Sequence, residues 1–148
     1  MKPSFKVSLT GEFSYTGRYI SYELIDKHNP IQALTNHPRH SLFPSNNIPV
    51  YPLQFSDAKA MIRALQKTNV LINTYWIRYP ASGISHENAV RNIDFLVKCA
   101  KNAGIEKIIH VSVSNPSKDS TLSYFKGKAE AEEIKAKLEE AGATIELK

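Results

Sequence analysis

A single cysteine among 148 residues excludes an internal disulfide, and Cys99 falls within an apolar helical pattern, so it reads as a buried structural thiol. No cluster of metal-ligating residues accompanies it, and no metal site is expected. No apolar run approaches the roughly 20 residues of a membrane span. The opening Met1-Lys2-Pro3-Ser4-Phe5-Lys6 lacks the apolar core of a secretory signal. The expectation is a cytoplasmic protein with no membrane partner. Also missing is Gly-x4-Gly-Lys-Ser/Thr, which argues against a P-loop NTPase. Internal repeats and low-complexity tracts are absent too, which argues against a solenoid.

What is present, 42% hydrophobic and 22% charged residues, describes one globular domain over residues 1–148 with a real core. Nineteen Lys+Arg against fourteen Asp+Glu give a formal net charge of +5. The charges are scattered. Lys126, Lys128, Lys135 and Lys137 alternate with Glu130, Glu132, Glu133, Glu139 and Glu140, the pattern of a solvated helix face rather than a nucleic-acid stripe. Nucleic acid is therefore disfavoured, and the mild positive balance suits a small phosphate-bearing ligand.

Short apolar runs alternate with helical patterns along the chain. Strands are expected at Phe5 to Leu9, Ile31 to Thr35, Ile48 to Leu53, Val70 to Thr74, Lys107 to Val113 and Ala143 to Leu147. Pro49 and Pro52 confine the third to a short or edge strand. Helices are expected from Gly17 to Lys27, after an N-cap at Asp57, around Ala89, Ile93, Leu96, Val97 and Ala100 with a stop at Gly104, and from Ser123 to Ala141. Asn36 to Asn47 is the longest irregular stretch. Regular alternation with buried strands predicts an α/β, Rossmann-like, doubly wound parallel sheet between two helical layers.

Two local patterns carry chemistry. In Thr10-Gly11-Glu12-Phe13-Ser14-Tyr15-Thr16-Gly17-Arg18, small residues at 11, 14 and 17 occupy a strand-to-helix turn, where backbone amides can approach a pyrophosphate. A tight turn that needs glycine for its conformation alone is the plainer alternative. The second pattern is Tyr124-Phe125-Lys126-Gly127-Lys128. Tyrosine and lysine four apart share one helix face, so the ammonium can favour the phenolate and make the phenol a better base. Chance pairs at this spacing are common, and the pair gains meaning from its company.

With Asn92 on the long central helix and serines ending the fifth strand in His110-Val111-Ser112-Val113-Ser114, these patterns resemble the short-chain dehydrogenase/reductase superfamily. More narrowly, the chain is similar to the extended or atypical branch, NAD-dependent epimerase/dehydratase and NmrA-like. The resemblance covers essentially the whole chain. It implies an NAD(P)-dependent oxidoreductase or epimerase/dehydratase, with Gly11, Ser14, Tyr15, Thr16 and Gly17 around the cofactor pyrophosphate. Ser14 stands where the family usually has its middle glycine.

The resemblance places the adenosine ribose near Thr35-Asn36-His37-Pro38-Arg39, where no acid waits for a free 2′-hydroxyl. Arg18 and Arg39 could offset a 2′-phosphate, so NADP is favoured over NAD, although Asn36 stands where an arginine would serve better. Gln54 and Phe55 would flank the adenine, although Phe55 fits core packing equally. Asn73 and Thr74 would neighbour the nicotinamide ribose. Trp76, Arg78 and Tyr79 read as a surface aromatic cluster or a substrate entrance. For catalysis the family implies Tyr124 as acid/base, Lys128 lowering its pKa and holding the ribose, and a strand-end serine, Ser114 ahead of Ser112, polarising the substrate oxygen. Asn92 would support Lys128 through water.

In the family a substrate-binding portion follows the sixth strand, whereas this sequence stops at Lys148. The expectation is a nucleotide-binding half without its substrate-binding portion, so the small-molecule substrate is unknown and a partner or dimer mate would complete the site. The alternative is a non-catalytic NAD(P)-binding sensor or complex subunit.

Overall fold

The computed structural model describes residues 5–11, 14–36, 48–112, 116–140 and 144–147. Its elements alternate: β1 (Val7–Thr10), α1 (Tyr15–Asp26), β2 (Ile31–Leu34), β3 (Val50–Tyr51), α2 (Ala58–Leu65), β4 (Val70–Asn73), α3 (His86–Ala103), β5 (Lys107–His110), α4 (Ser123–Glu140) and β6 (Thr144–Leu147). All described strand pairs are parallel, in the order β3-β2-β1-β4-β5-β6. The architecture is the expected Rossmann-like α/β fold.

Side-chain alternation divides the sheet into two faces. Val7, Leu9, Ile31, Val70 and Ile72 meet Ile20 and Leu24 of α1. Leu34, Leu71 and Ile108 point the other way, against Met61 and Leu65 of α2 and Ile93, Leu96 and Val97 of α3. β1, β2 and β4 are buried along their whole length, as a sheet covered on both faces requires. Cys99 lies in this core as expected, and burial pushes its thiol pKa up.

Local signals set most boundaries. Asp57 caps α2 by accepting from the Ala60 amide at 3.0 Å. Ser85 and Asn88 form a reciprocal capping box on α3, and Gly104 ends that helix at φ +80°, a conformation glycine adopts without strain. Several boundaries differ from expectation by one to a few residues, three of them for a readable reason or by the widest margin. β1 runs to Thr10 rather than ending at Leu9, and α1 begins at Tyr15 rather than Gly17 because Ser14 caps it, its Oγ accepting from the Gly17 amide at 3.1 Å. β5 stops at His110, three residues before Val113. The prolines confine β3 to two residues on the sheet edge.

Candidate functional site

Parallel strands deliver their carboxyl ends to one edge of the sheet, where β1, β4 and β5 finish at Thr10, Asn73 and His110. Thr10, wholly buried, ties them together. Its Oγ1 donates to Asn73 Oδ1 at 2.8 Å and accepts from the Thr74 and Tyr75 amides at 2.9 and 3.1 Å. Asn73 Nδ2 in turn donates to His110 Nδ1 at 3.0 Å, so neutral His110 carries its proton on Nε2. Thr74 Oγ1 donates to the Thr10 carbonyl. Asn73 and Thr74 therefore stand at the crevice as expected, but their side chains are engaged in holding the strand ends. Sequence reasoning missed Thr10. The available signal was a threonine at the end of a buried strand, where an apolar residue would be usual.

This knot positions the turn after β1. Gly11 has φ +68°, and a Cβ there would lie 2.7 Å from Thr74 Oγ1. Both backbone conformation and close approach to Thr74 thus require glycine. Ser14 donates its amide to the Gly11 carbonyl at 2.9 Å and caps α1. Gly17 is buried in the first turn, with Ser21 Oγ donating to its carbonyl at 2.9 Å. The Tyr15 and Thr16 amides lie in that first turn, where a helix offers no carbonyl to receive them, and no acidic side chain stands in it. A glycine at positive φ shortly before a helix N-terminus is an arrangement in which backbone amides can meet an anion. Arg18 stacks its guanidinium over the Tyr19 ring, 6.0 Å from the centroid.

The flanking adenosine-side predictions fare unevenly. Asn36 Nδ2 donates to the Leu53 carbonyl at 2.6 Å, which latches the end of β2 to the segment after β3. Phe55 packs against the core, with Tyr75 and Phe95 rings at 4.9 and 6.4 Å, in keeping with the packing alternative. Arg39 lies outside the described residues, as does Ser114. Ser112 is described: it lies beyond β5, and its Oγ donates to Glu132 Oε1 of α4 at 2.5 Å. Asn92, expected to support Lys128 through water, donates to the Tyr75 hydroxyl at 2.9 Å.

Tyr124 and Lys128 lie in the first turns of α4; Lys126 and Glu133 are exposed as a solvated face requires, but Lys128, expected on that face, is buried. Lys128 is 4% exposed; its Nζ donates to the Val111 carbonyl at 3.1 Å and sits 4.6 Å from the centre of the Trp76 ring. Burial lowers its pKa to about 8, while the carboxylate of Glu132 acts in the opposite sense. Tyr124 meets Trp76 edge to face at 5.9 Å and His86 at 5.7 Å, and the last two rings stack at 5.6 Å. His86 Nδ1 lies 2.6 Å from Ser123 Oγ. Trp76 thus packs inward with His86 against Tyr124, whereas Arg78 and Tyr79 are exposed as a surface cluster would be. Gly127 was the overlooked signal: a Cβ there would lie 2.9 Å from Trp76 Cη2, so the interior glycine of α4 admits the indole.

The fold and this edge define a Rossmann-like domain whose crevice opens at the strand carboxyl ends. No protein-family model matches the sequence, and no curated protein matches it. Solved structures do share the fold. The Bordetella bronchiseptica enzyme WbmH, solved in complex with NAD+, superposes with a TM-score of 0.76 at 14% identity over 98% of this chain. UDP-N-acetylglucosamine 4-epimerase from Bacillus cereus gives 0.78 at 17% identity over 97%. A short-chain dehydrogenase from Burkholderia cenocepacia, in complex with NADP, gives 0.74 at 14% over 97%. The chain spans 55% and 54% of the first two and 70% of the third. The fold is therefore the one these dehydrogenases and epimerases share. Among the described residues no helix is long and apolar enough to cross a membrane, and no cluster of His, Cys, Asp or Glu could hold a metal ion.

Proposed function

We propose that the chain is the nucleotide-binding part of an NAD(P)-dependent oxidoreductase or epimerase/dehydratase of the short-chain dehydrogenase/reductase type. The observation that carries this reading is Gly11, whose positive φ and close approach to Thr74 require glycine in the turn between the end of β1 and the N-cap of α1. Gly11, Ser14, Tyr15, Thr16 and Gly17 would hold the pyrophosphate. Arg18 and Arg39 would favour NADP by offsetting a 2′-phosphate, and the Thr10–Asn73–Thr74 knot would keep the crevice edge rigid. When bound, the nicotinamide supplies hydride transfer. The chain's own part is proton handling: Tyr124 exchanges a proton with a substrate oxygen, and Lys128, charged below about pH 8, favours the phenolate and holds a ribose hydroxyl.

A second reading, nucleotide binding without turnover, is favoured by the contact of Trp76 with both Tyr124 and Lys128. The two readings share the cradle, so binding is tested first. Titrating the purified chain with NADH and NADPH, followed by cofactor fluorescence, is expected to give saturable binding that Gly11→Val weakens at least a hundredfold. Equal affinity of the folded variant would remove the dinucleotide from the account.

A further inference from the structure

Trp76 occupies an unusual place for a side chain that begins a loop. One aromatic ring touches both members of the proposed acid/base pair, with the Lys128 ammonium 4.6 Å from its centre and the Tyr124 ring at 5.9 Å. The contact is built into α4, since Gly127 leaves room for the indole that no other residue would. The environment is polar in an unfinished way. Trp76 Nε1 and His86 Nε2 are both buried with no hydrogen-bond partner among the described residues. Two buried N–H or lone-pair groups left unmet disfavour this arrangement and are what a ligand would satisfy.

The segment that carries Trp76 is tied at its ends and loose between them. Thr74 and Tyr75 are fixed to Thr10, and Ser85 is fixed by the α3 capping box. Among the described residues no backbone hydrogen bond holds positions 76 to 80. Next comes a tight turn closed by the mutual Ala81 and Ile84 bonds, with Ser82 and Gly83 at φ +52° and +77°. Rotation of the Trp76 side chain thus breaks no backbone hydrogen bond of its own segment, although the indole must leave its packing against His86, Gly127 and the core.

We propose that Trp76 is a movable cover over Tyr124 and Lys128, displaced by the nicotinamide-riboside half of a bound dinucleotide. The inference rests on the dinucleotide reading above. The slot the indole leaves is walled by His86 and Tyr124 and floored by Lys128 and Gly127, and so accepts a flat ring whose carboxamide can meet His86 Nε2, while Trp76 Nε1 leaves with the indole and gains solvent. Lys128, released from the indole face, turns to the ribose. Because the cover competes with the ligand, apparent affinity is reduced by the fraction of molecules in which it is closed.

The test compares two ligands. NAD+ or NADP+ must open the cover, whereas ADP fills the cradle and carries no nicotinamide riboside. Calorimetric titration of wild type and Trp76→Leu is expected to show about tenfold tighter dinucleotide binding by the variant, with ADP changed less than twofold. A second measurement needs no variant. Trp76 is the one tryptophan of the chain, so acrylamide quenching of its emission should rise on adding NAD+ or NADP+ and stay unchanged with ADP. Unchanged quenching with dinucleotide bound, or a variant that binds dinucleotide no tighter, would overturn the cover. An equal gain for ADP and dinucleotide would also do so, since it signals general loosening. If neither ligand binds wild type, the dinucleotide reading itself falls and takes the cover with it.

Discussion

The two ends of the crevice are built on opposite terms. Around Thr10 each polar side-chain atom of Thr10 and Asn73 has a partner, and three strand ends are locked by short, buried hydrogen bonds. A few residues along the chain, around Trp76, two buried nitrogens have none, and a lysine is held where its charge is disfavoured. Satisfied polar networks rigidify a fold, whereas unsatisfied ones lower its stability unless a ligand completes them. The first end therefore reads as scaffold, and the second as the end where polar groups within the described residues are left unmatched.

The largest expected effect breaks the scaffold end. Thr10→Val keeps the shape but leaves the Thr74 amide without its acceptor and Asn73 Oδ1 with the Tyr75 amide alone, and should cost about 1–3 kcal/mol in urea denaturation. A loss below about 0.5 kcal/mol would show that the knot does not hold the strand ends.

A smaller effect of opposite sign is expected at the other end. The folded pKa of Lys128, about 8, lies below its ordinary 10.5, so between these values the unfolded chain binds more protons and stability rises with pH. The penalty is full below about pH 8 and relieved towards 10.5. Lys128→Met should accordingly stabilise the protein at pH 7, on the order of 1 kcal/mol, with the gain shrinking as pH rises through 8 to 10. A destabilised variant, or a gain independent of pH, would equate the two ends and undo the contrast.

The difference in legibility follows the same division. Strand alternation, the Asp57 and Gly104 caps and the edge character of β3 were readable because each depends on local chemistry: hydrophobic period, capping oxygens, glycine at positive φ and proline in a strand. The turn between β1 and α1 was readable because Gly11 and Gly17 follow the first buried strand. Ser14 was read by analogy as a substitute for a phosphate-side glycine, and its local role as N-cap of α1 was overlooked. What escaped was set by contacts between distant segments. Thr10 meets residues more than sixty positions away, and the burial of Lys128 depends on Trp76, which nothing around Lys128 announces except Gly127. Asn92 was assigned to Lys128 by resemblance, while its bond goes to Tyr75.

The central claim is that this edge binds a nicotinamide dinucleotide through the Gly11 turn, and ligand-dependent thermal stability tests it most directly. At a concentration about a hundred times the dissociation constant, NADH or NADPH should contribute about 2.7 kcal/mol and raise the melting temperature of wild type by roughly 5–10 °C. Gly11→Val should melt at the same temperature with and without cofactor. A wild-type melting temperature unmoved by either dinucleotide at millimolar concentration would contradict the account.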